Sequence, residues 1–344
     1  MTSSTSGQPV AIGLIGAGRM GAFHAESLAR RIPGARLAAV ADPVPGVAQR
    51  LADRLGCPNP VADIEQLLTV PEIEAVVVAT PARTHSDLVA AAASAGKAVY
   101  CEKPMAVTLD GADRAIRAAH GAGVPLQVGF NRRYDRGFRA GRDLITSGGI
   151  GTPQLMRSLT RDPKLADPAT IPPWTIFLET LIHDFDALRW LNPGAEAVEV
   201  SAMADALVRP DFKGGGLLDT AVVTIRFDNG AIATAEANFQ AVYGYDVRGE
   251  VFGSAGMTTV GDIHRTHMTA YGPAGAAAEC VTYDQELFHD AYVAELADFA
   301  DCVRTGRTPH ATGEDARAAL VIALAAIRSV TTGGPVRTHE FGNR

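Results

Sequence analysis

Val10-Ala11-Ile12-Gly13-Leu14-Ile15-Gly16-Ala17-Gly18-Arg19-Met20-Gly21 is an apolar run that breaks into three spaced glycines. Met20, Phe23, His24, Ser27 and Leu28 then recur at helical spacing, so the glycines join a strand to a helix. In that position Gly16 permits the tight turn, Gly18 lets backbone approach a pyrophosphate, and Gly21 allows the helix to pack closely on the strand. The helix N-terminus adds N–H groups for the anion. Any flexible turn can use glycines, so the reading needs a second feature. Residues 36–41 supply it as a further apolar strand ending at Asp42, about 20 residues past the glycines, where an acid receives the ribose hydroxyls of a dinucleotide. A carboxylate there repels a 2′-phosphate, and Pro43 cannot supply the arginine that usually receives one, so NAD is expected over NADP. Arg19 and Met20 join Gly16, Gly18 and Asp42 as expected cofactor contacts.

The rhythm continues. Residues 74–79 form a buried strand that ends in Thr80-Pro81-Ala82-Arg83-Thr84-His85, and an alanine-rich helix follows over residues 86–95. A strand over 97–101, a helix over about 108–122 and an apolar run over 125–130 complete the alternation, which predicts an α/β fold with a doubly wound parallel sheet over residues 9–130. The fourth of these strands runs straight into Glu102-Lys103-Pro104. A strand-end lysine is more often solvated than functional, but ligands of such sheets bind beyond the carboxyl ends of the strands, where this lysine emerges. Thr80, Pro81, His85, Glu102 and Lys103 are therefore expected to line the nicotinamide half of the cofactor site.

After Phe130 the texture changes, and residues 131–344 read as a second, substrate-binding and oligomerisation domain of α+β class. Asn131-Arg132-Arg133-Tyr134-Asp135 is a polar connection that either is solvated or grips a hydroxyl-rich ligand, and a helix over about 135–147 stops at Gly148-Gly149. In residues 177–191, Leu178, Leu181, Ile182, Phe185, Leu188 and Leu191 form an apolar helical stripe. A second stripe holds Glu179, His183 and Asp186, so an acid and an imidazole stand one turn apart. A surface ion pair explains that spacing as well, and a metal site needs more ligands than the sequence offers, so none is expected. Residues 197–202, 220–227, 231–239 and 245–252 read as strands of an open, mostly antiparallel sheet, with Asp228-Asn229-Gly230 as a hairpin turn. Helices over about 285–304 and 313–330 close the chain.

Composition bounds the partners. The chain has 344 residues, 47% hydrophobic and 20% charged, with a net charge of -7 and no dense basic block, which argues against nucleic acid. Cys57, Cys101, Cys280 and Cys302 form no close pair, as expected of a protein of the reducing cytoplasm with neither disulfide framework nor zinc. Residues 1–8 read as a disordered tail without the basic and apolar regions of a signal peptide, and no apolar run reaches the roughly 18 residues of a membrane span.

With Gly16-x-Gly18-x-x-Gly21, Thr80-Pro81 with His85, Glu102-Lys103-Pro104 and His183-Asp184-x-Asp186 in place, the chain resembles the Gfo/Idh/MocA family of nicotinamide-dependent oxidoreductases from Val10 onward. Within that family it is most similar to inositol 2-dehydrogenases, on Gln127-Val128-Gly129-Phe130-x-Arg132-Arg133-Tyr134-Asp135, the run from Leu181 to Trp190-Leu191, and Tyr243-Gly244-Tyr245-Asp246. The resemblance implies a catalytic set of Lys103, His183 and the acid four residues earlier, Glu179, acting on a ring hydroxyl of a polyol or sugar. Arg132, Asp162 and Tyr245 are expected to hold its other hydroxyls, and a homo-oligomer, tetramer or dimer, is expected through the open sheet face. The chain departs from the family pattern at Glu179, where aspartate is typical, at Asp162, where asparagine stands, and at Asn131, where an apolar residue is common. A sugar or anhydrosugar dehydrogenase, a ketosugar reductase, an NAD-dependent glycoside-cleaving enzyme and a non-catalytic cofactor-binding sensor remain the alternatives.

Overall fold

All six residues of β1 (Val10–Ile15) are buried, which places the strand at the centre of a sheet covered on both faces. The computed structural model describes residues 7–165 and 167–342; the tail expected over residues 1–8 lies outside the described residues up to residue 6. Around β1 stand β2 (Ala35–Ala41), β3 (Asn59–Val61), β4 (Ala75–Val78), β5 (Ala98–Cys101) and β6 (Leu126–Val128), in the order β3-β2-β1-β4-β5-β6. Every pairing is parallel, so this is the doubly wound dinucleotide-binding sheet that the alternation predicts. The connecting helices are α1 (Arg19–Arg30), α2 (Val47–Leu55), α3 (Ile64–Thr69), α4 (His85–Ser94) and α5 (Leu109–Ala122).

The chain divides into two compact units, and the division is not the single cut at Phe130 that composition suggests. One unit takes the chain up to Phe130 together with Tyr292–Arg317, and the other takes Asn131–Ala291 with the chain from Ala318 on. The returning segment belongs with the first sheet because Leu296 and Phe299, both fully buried, complete the core formed by Val10, Ile12, Leu14 and Tyr100. Backbone joins it as well, with the Val128 N–H donating to Ala311 O at 2.9 Å.

In the second unit, α6 (Arg136–Thr146), β7 (Pro153–Arg161) and α7 (Ile182–Trp190) precede β8 (Ala197–Asp205), β9 (Thr220–Phe227), β10 (Ile232–Asn238), β11 (Asp246–Gly253) and β12 (Gly256–Val260). Later come β13 (His264–Gly272), β14 (Gly275–Cys280), α8 (Asp284–Leu287), α9 (His289–Thr305), α10 (Gly313–Thr332) and β15 (Val336–Arg337). The large sheet runs β12-β11-β7-β10-β9-β8-β15, with β13 and β14 as a separate two-stranded sheet. β7 and β10 are parallel and the other pairs antiparallel, as an open, mostly antiparallel sheet requires. β7 is invisible in the sequence, because it opens on a proline and carries Gln154, Arg157 and Arg161, yet it pairs on both edges. The helix expected over 285–304 is interrupted at Phe288, between α8 and α9. β9 alternates, burying Ala221, Val223, Ile225 and Phe227 and exposing the residues between.

The glycine loop has little slack in the first unit. Gly16 sits at φ +94°, and a Cβ added there meets Ala79 O at 2.6 Å, while one added at Gly21 would lie 1.8 Å from Gly16 O. Backbone cannot yield as a side chain can, so Gly21→Ala is expected to destabilise the protein by about 1–3 kcal/mol. Urea denaturation checks this, and an unchanged midpoint would contradict the packing.

Candidate active site

The loop from Gly16 to Gly18 is held by Asp42, whose Oδ2 accepts the Ala17 N–H at 2.8 Å and whose Oδ1 accepts the Val44 N–H at 2.9 Å. α1 begins immediately after Gly18, where an added Cβ would meet nothing within 4 Å. Open space at a helix N-terminus, flanked by the acid that ends β2, is a cradle that fits the pyrophosphate and adenosine ribose of NAD. Arg19 and Met20 occupy the first positions of α1.

The ends of β4 and β5 are tied together by a side chain expected to meet the cofactor. His85 is 1% exposed, and its two ring nitrogens lie 2.8 Å from Pro104 O and 2.7 Å from Thr80 O. The imidazole is thus a brace between the two loops. Thr80 Oγ1 lies 2.7 Å from Thr84 Oγ1, in the turn that Pro81 opens. Glu102 is likewise turned inward: Oε1 lies 2.6 Å from His24 Nε2, and Oε2 accepts the Lys103 N–H at 3.2 Å. Burial works to raise the Glu102 carboxyl, but the hydrogen bond and charge of His24, helped by Lys103 and His85, bring it below the ordinary carboxylate value. Lys103 is half-buried in the turn that follows.

In the second unit the double arginine turns inward. Arg132, 2% exposed, donates from Nη1 to Asp184 Oδ1 at 2.7 Å and from Nη2 to Oδ2 at 3.4 Å. Ser158 and Thr160 of β7 donate to the same carboxylate at 2.5 and 2.7 Å. Arg133 clasps Asp186 through Nε and Nη2 at 2.8 and 2.6 Å. Arg132, expected at the substrate hydroxyls, is one half of a buried ion pair. Asp186 likewise leaves the polar stripe expected with Glu179 and His183. A readable signal existed, since two adjacent arginines and two aspartates in Asp-x-Asp spacing match one for one.

The backbone before α7 also departs from the period assumed for that stripe. The backbone forms a π-turn over Ile176–Thr180, with the Leu181 N–H donating to Ile176 O at 2.8 Å, so Glu179 lies outside the 3.6-residue period of α7. Trp174 enters this turn at φ +63°, an uncommon conformation for a bulky residue. Glu179 and His183 are both half-buried, one in the π-turn and the other in the first turn of α7. Tyr245 is buried, and its hydroxyl is pushed well above the ordinary tyrosine value by burial and by the charges of Asp162 and Asp284, against the opposing charge of Arg132. It remains a neutral donor beside acidic acceptors. Asp162 is half-buried, its backbone fixed by Asn238 O and Ala241 N at 2.9 Å each. Asn131 is buried with no hydrogen-bond partner at Oδ1.

Residues 10–130 match the family model described as oxidoreductase family, NAD-binding Rossmann fold, and residues 138–259 match the GFO/IDH/MocA C-terminal domain. The chain is 37% identical to scyllo-inositol 2-dehydrogenase (NAD(+)) of Bacillus subtilis, covering 94% of this chain and 95% of that one. It is 36% identical to myo-inositol 2-dehydrogenase of Thermotoga maritima, over 96% and 98% of the two chains. The structure of scyllo-inositol dehydrogenase from Lactobacillus casei with bound NAD(H) and scyllo-inositol superposes with a TM-score of 0.91 at 26% identity, covering 96% and 99% of the chains.

Removing one half of a buried ion pair leaves the other charge uncompensated. Asp184→Asn is therefore expected to cost about 3–5 kcal/mol, while the double change Arg132→Met with Asp184→Leu restores much of that loss. Urea titration of both variants checks it, and a double variant as unstable as the single one would contradict the pairing.

Proposed function

Because this chain belongs to the GFO/IDH/MocA oxidoreductase family and carries its NAD-binding Rossmann fold at residues 10–130, we propose that it oxidises a secondary ring hydroxyl of an inositol to the ketone with NAD. The observation that carries the reading is identity of 36–37% to two inositol 2-dehydrogenases across nearly the full length of both. NAD, when bound, supplies the acceptor for the hydride that leaves the carbinol carbon. In this reading the His183 imidazole takes the hydroxyl proton, being a base suited to neutral pH. The Lys103 ammonium donates to the same oxygen and stabilises its developing negative charge. Glu179 orients His183 or holds a neighbouring hydroxyl, its extra methylene relative to the family's aspartate reaching ~1.5 Å further. Asp162 and the neutral Tyr245 hydroxyl offer an acceptor and a donor to the remaining hydroxyls of the ring.

Gly16, Gly18, Arg19, Met20 and Asp42 are assigned to the pyrophosphate and adenosine half of NAD, and Thr80, Pro81 and Lys103 to the nicotinamide half. The proposal extends to a homotetramer assembled through the open face of the large sheet. Met257, Phe252, Leu155 and Ile232 are all exposed and follow one another in register across β12, β11, β7 and β10, a continuous apolar row that a monomer would leave in water. Placement in the cytoplasm completes the reading, supported by four cysteines without a disulfide; among the described residues no helix is long and apolar enough to cross a membrane.

Lys103→Ala and His183→Ala are each expected to lower turnover of myo- or scyllo-inositol with NAD by about 10²–10⁴-fold. Absorbance of reduced nicotinamide reads both turnover and the net oxidation that a glycoside-cleaving cycle would not give; wild-type turnover in either variant rejects the mechanism. Leu155→Glu with Phe252→Glu is expected to shift the protein to smaller species in light scattering, and an unaltered mass rejects the proposed face.

A further inference from the structure

Beneath the strand end that carries Lys103 lies a group of side chains the proposed reaction does not use. Glu295, on the early part of α9, is fully buried in the first unit, and its Oε1 accepts the Tyr100 hydroxyl at 2.6 Å. Its backbone oxygen accepts the Gln127 side-chain amide at 2.7 Å, which ties this turn of α9 to β6. Oε2 has no hydrogen-bond partner. One ligand-type atom each from His24, Glu102 and Glu295 lies within 4.8 Å of the others, all buried. A metal ion is not what the three surround, because His24 Nε2 and Glu102 Oε1 are 2.6 Å apart, a hydrogen-bond distance shorter than the gap between two ligands of one ion.

We propose that Glu295 is a positioning residue for Lys103, a neutral acid set beside Glu102 in one buried group with the Tyr100 hydroxyl and His24. The inference rests on the reading of Lys103 as catalytic. Two buried carboxyls this close cannot both ionise, and the geometry decides which one keeps a proton. Glu102 has His24 on one oxygen and the Lys103 N–H on the other, whereas Glu295 receives only the Tyr100 hydroxyl. Glu295 therefore carries the proton, in a group whose ligand-type atoms lie within 4.8 Å of one another and whose one charged carboxylate is Glu102. Burial and the charge of Glu102 both push the Glu295 carboxyl well above the ordinary value. The other titratable groups around the pair are His85 beside Glu102, and Cys101 and Tyr292 beside Glu102 and Tyr100. Space for the arrangement depends on Gly129, where an added Cβ would lie 2.6 Å from Tyr100 Oη and 3.3 Å from Glu102 Oε2.

Infrared difference spectra between the wild-type protein and Glu295→Gln, recorded in D2O at neutral pH without substrate, test the proton directly. A protonated-carboxyl band lost in the variant is expected, and its absence overturns the proposal. Glu295→Ala is expected to lower kcat about tenfold per NAD-binding site with little change in KM, because the ammonium it misplaces acts on the transition state. Glu295→Gln, which keeps the size and neutrality of the protonated acid, is expected to recover most of that loss and the wild-type shape of the pH profile. A Gln variant as impaired as Ala, with a displaced pH limb, or an Ala variant with wild-type kcat, overturns the positioning role. Should the Ala variant not fold, Tyr100→Phe removes only the hydroxyl that holds Glu295 and carries the same kinetic expectation. If Lys103→Ala keeps wild-type turnover while the infrared band stands, the catalytic reading of Lys103 fails and the proton on Glu295 does not.

Discussion

Glu102 is a carboxylate withdrawn from water at the carboxyl end of a parallel strand, and much of the first unit is arranged to keep it ionised there. Such a group is tolerated only with hydrogen bonds and opposite charge around it. His24 supplies a hydrogen bond from α1, which explains a fully buried histidine on the apolar face of that helix. Gly129 supplies room, and the return of the chain as Tyr292–Arg317 closes the chamber from below. Lys103 inherits its place from this arrangement, since its own N–H is held by the same carboxylate. The turn that presents the amine is therefore as rigid as the acid beneath it.

The second unit solves a similar problem with two ion pairs. Asp184 and Asp186, two residues apart on α7, point to different sides of the helix and take Arg132 and Arg133 separately. A helix clamped at two angular positions cannot rotate about its axis. Desolvating four charges is costly and a hydrophobic replacement would often be as stable, so the return is definition of geometry and not strength. The π-turn just before α7 moves Glu179 out of helical register with the clamped residues.

Unlike the first sheet, which is covered on both faces, the large sheet is amphipathic. β9 and β10 bury every other side chain against the helices of their own unit, and the other face retains apolar rows, including Val222 opposite Met203. Met203 is 81% exposed.

Local pattern carried a long way. The parallel sheet, the glycine loop with its acid at Asp42, and the placement of Lys103 at a strand end all follow from apolar runs of fixed length separated by turn residues, which are properties of neighbouring residues. The hairpin at Asp228-Asn229-Gly230 is legible for the same reason, with Gly230 at φ +89°. What local pattern could not reveal was partnership across the chain. Nothing near Arg132 in sequence neutralises it, and its partner is 52 residues away. The two carbonyl partners of His85 meet only when β4 and β5 lie side by side. Glu295 stood in an ordinary amphipathic helix, and its acid became buried only by packing on a strand 195 residues earlier. The sequence by itself determined which residue types stand at which strand ends. Which of those charges are paired with one another emerged only from the folded chain, because the energy of a buried charge depends on what surrounds it in space.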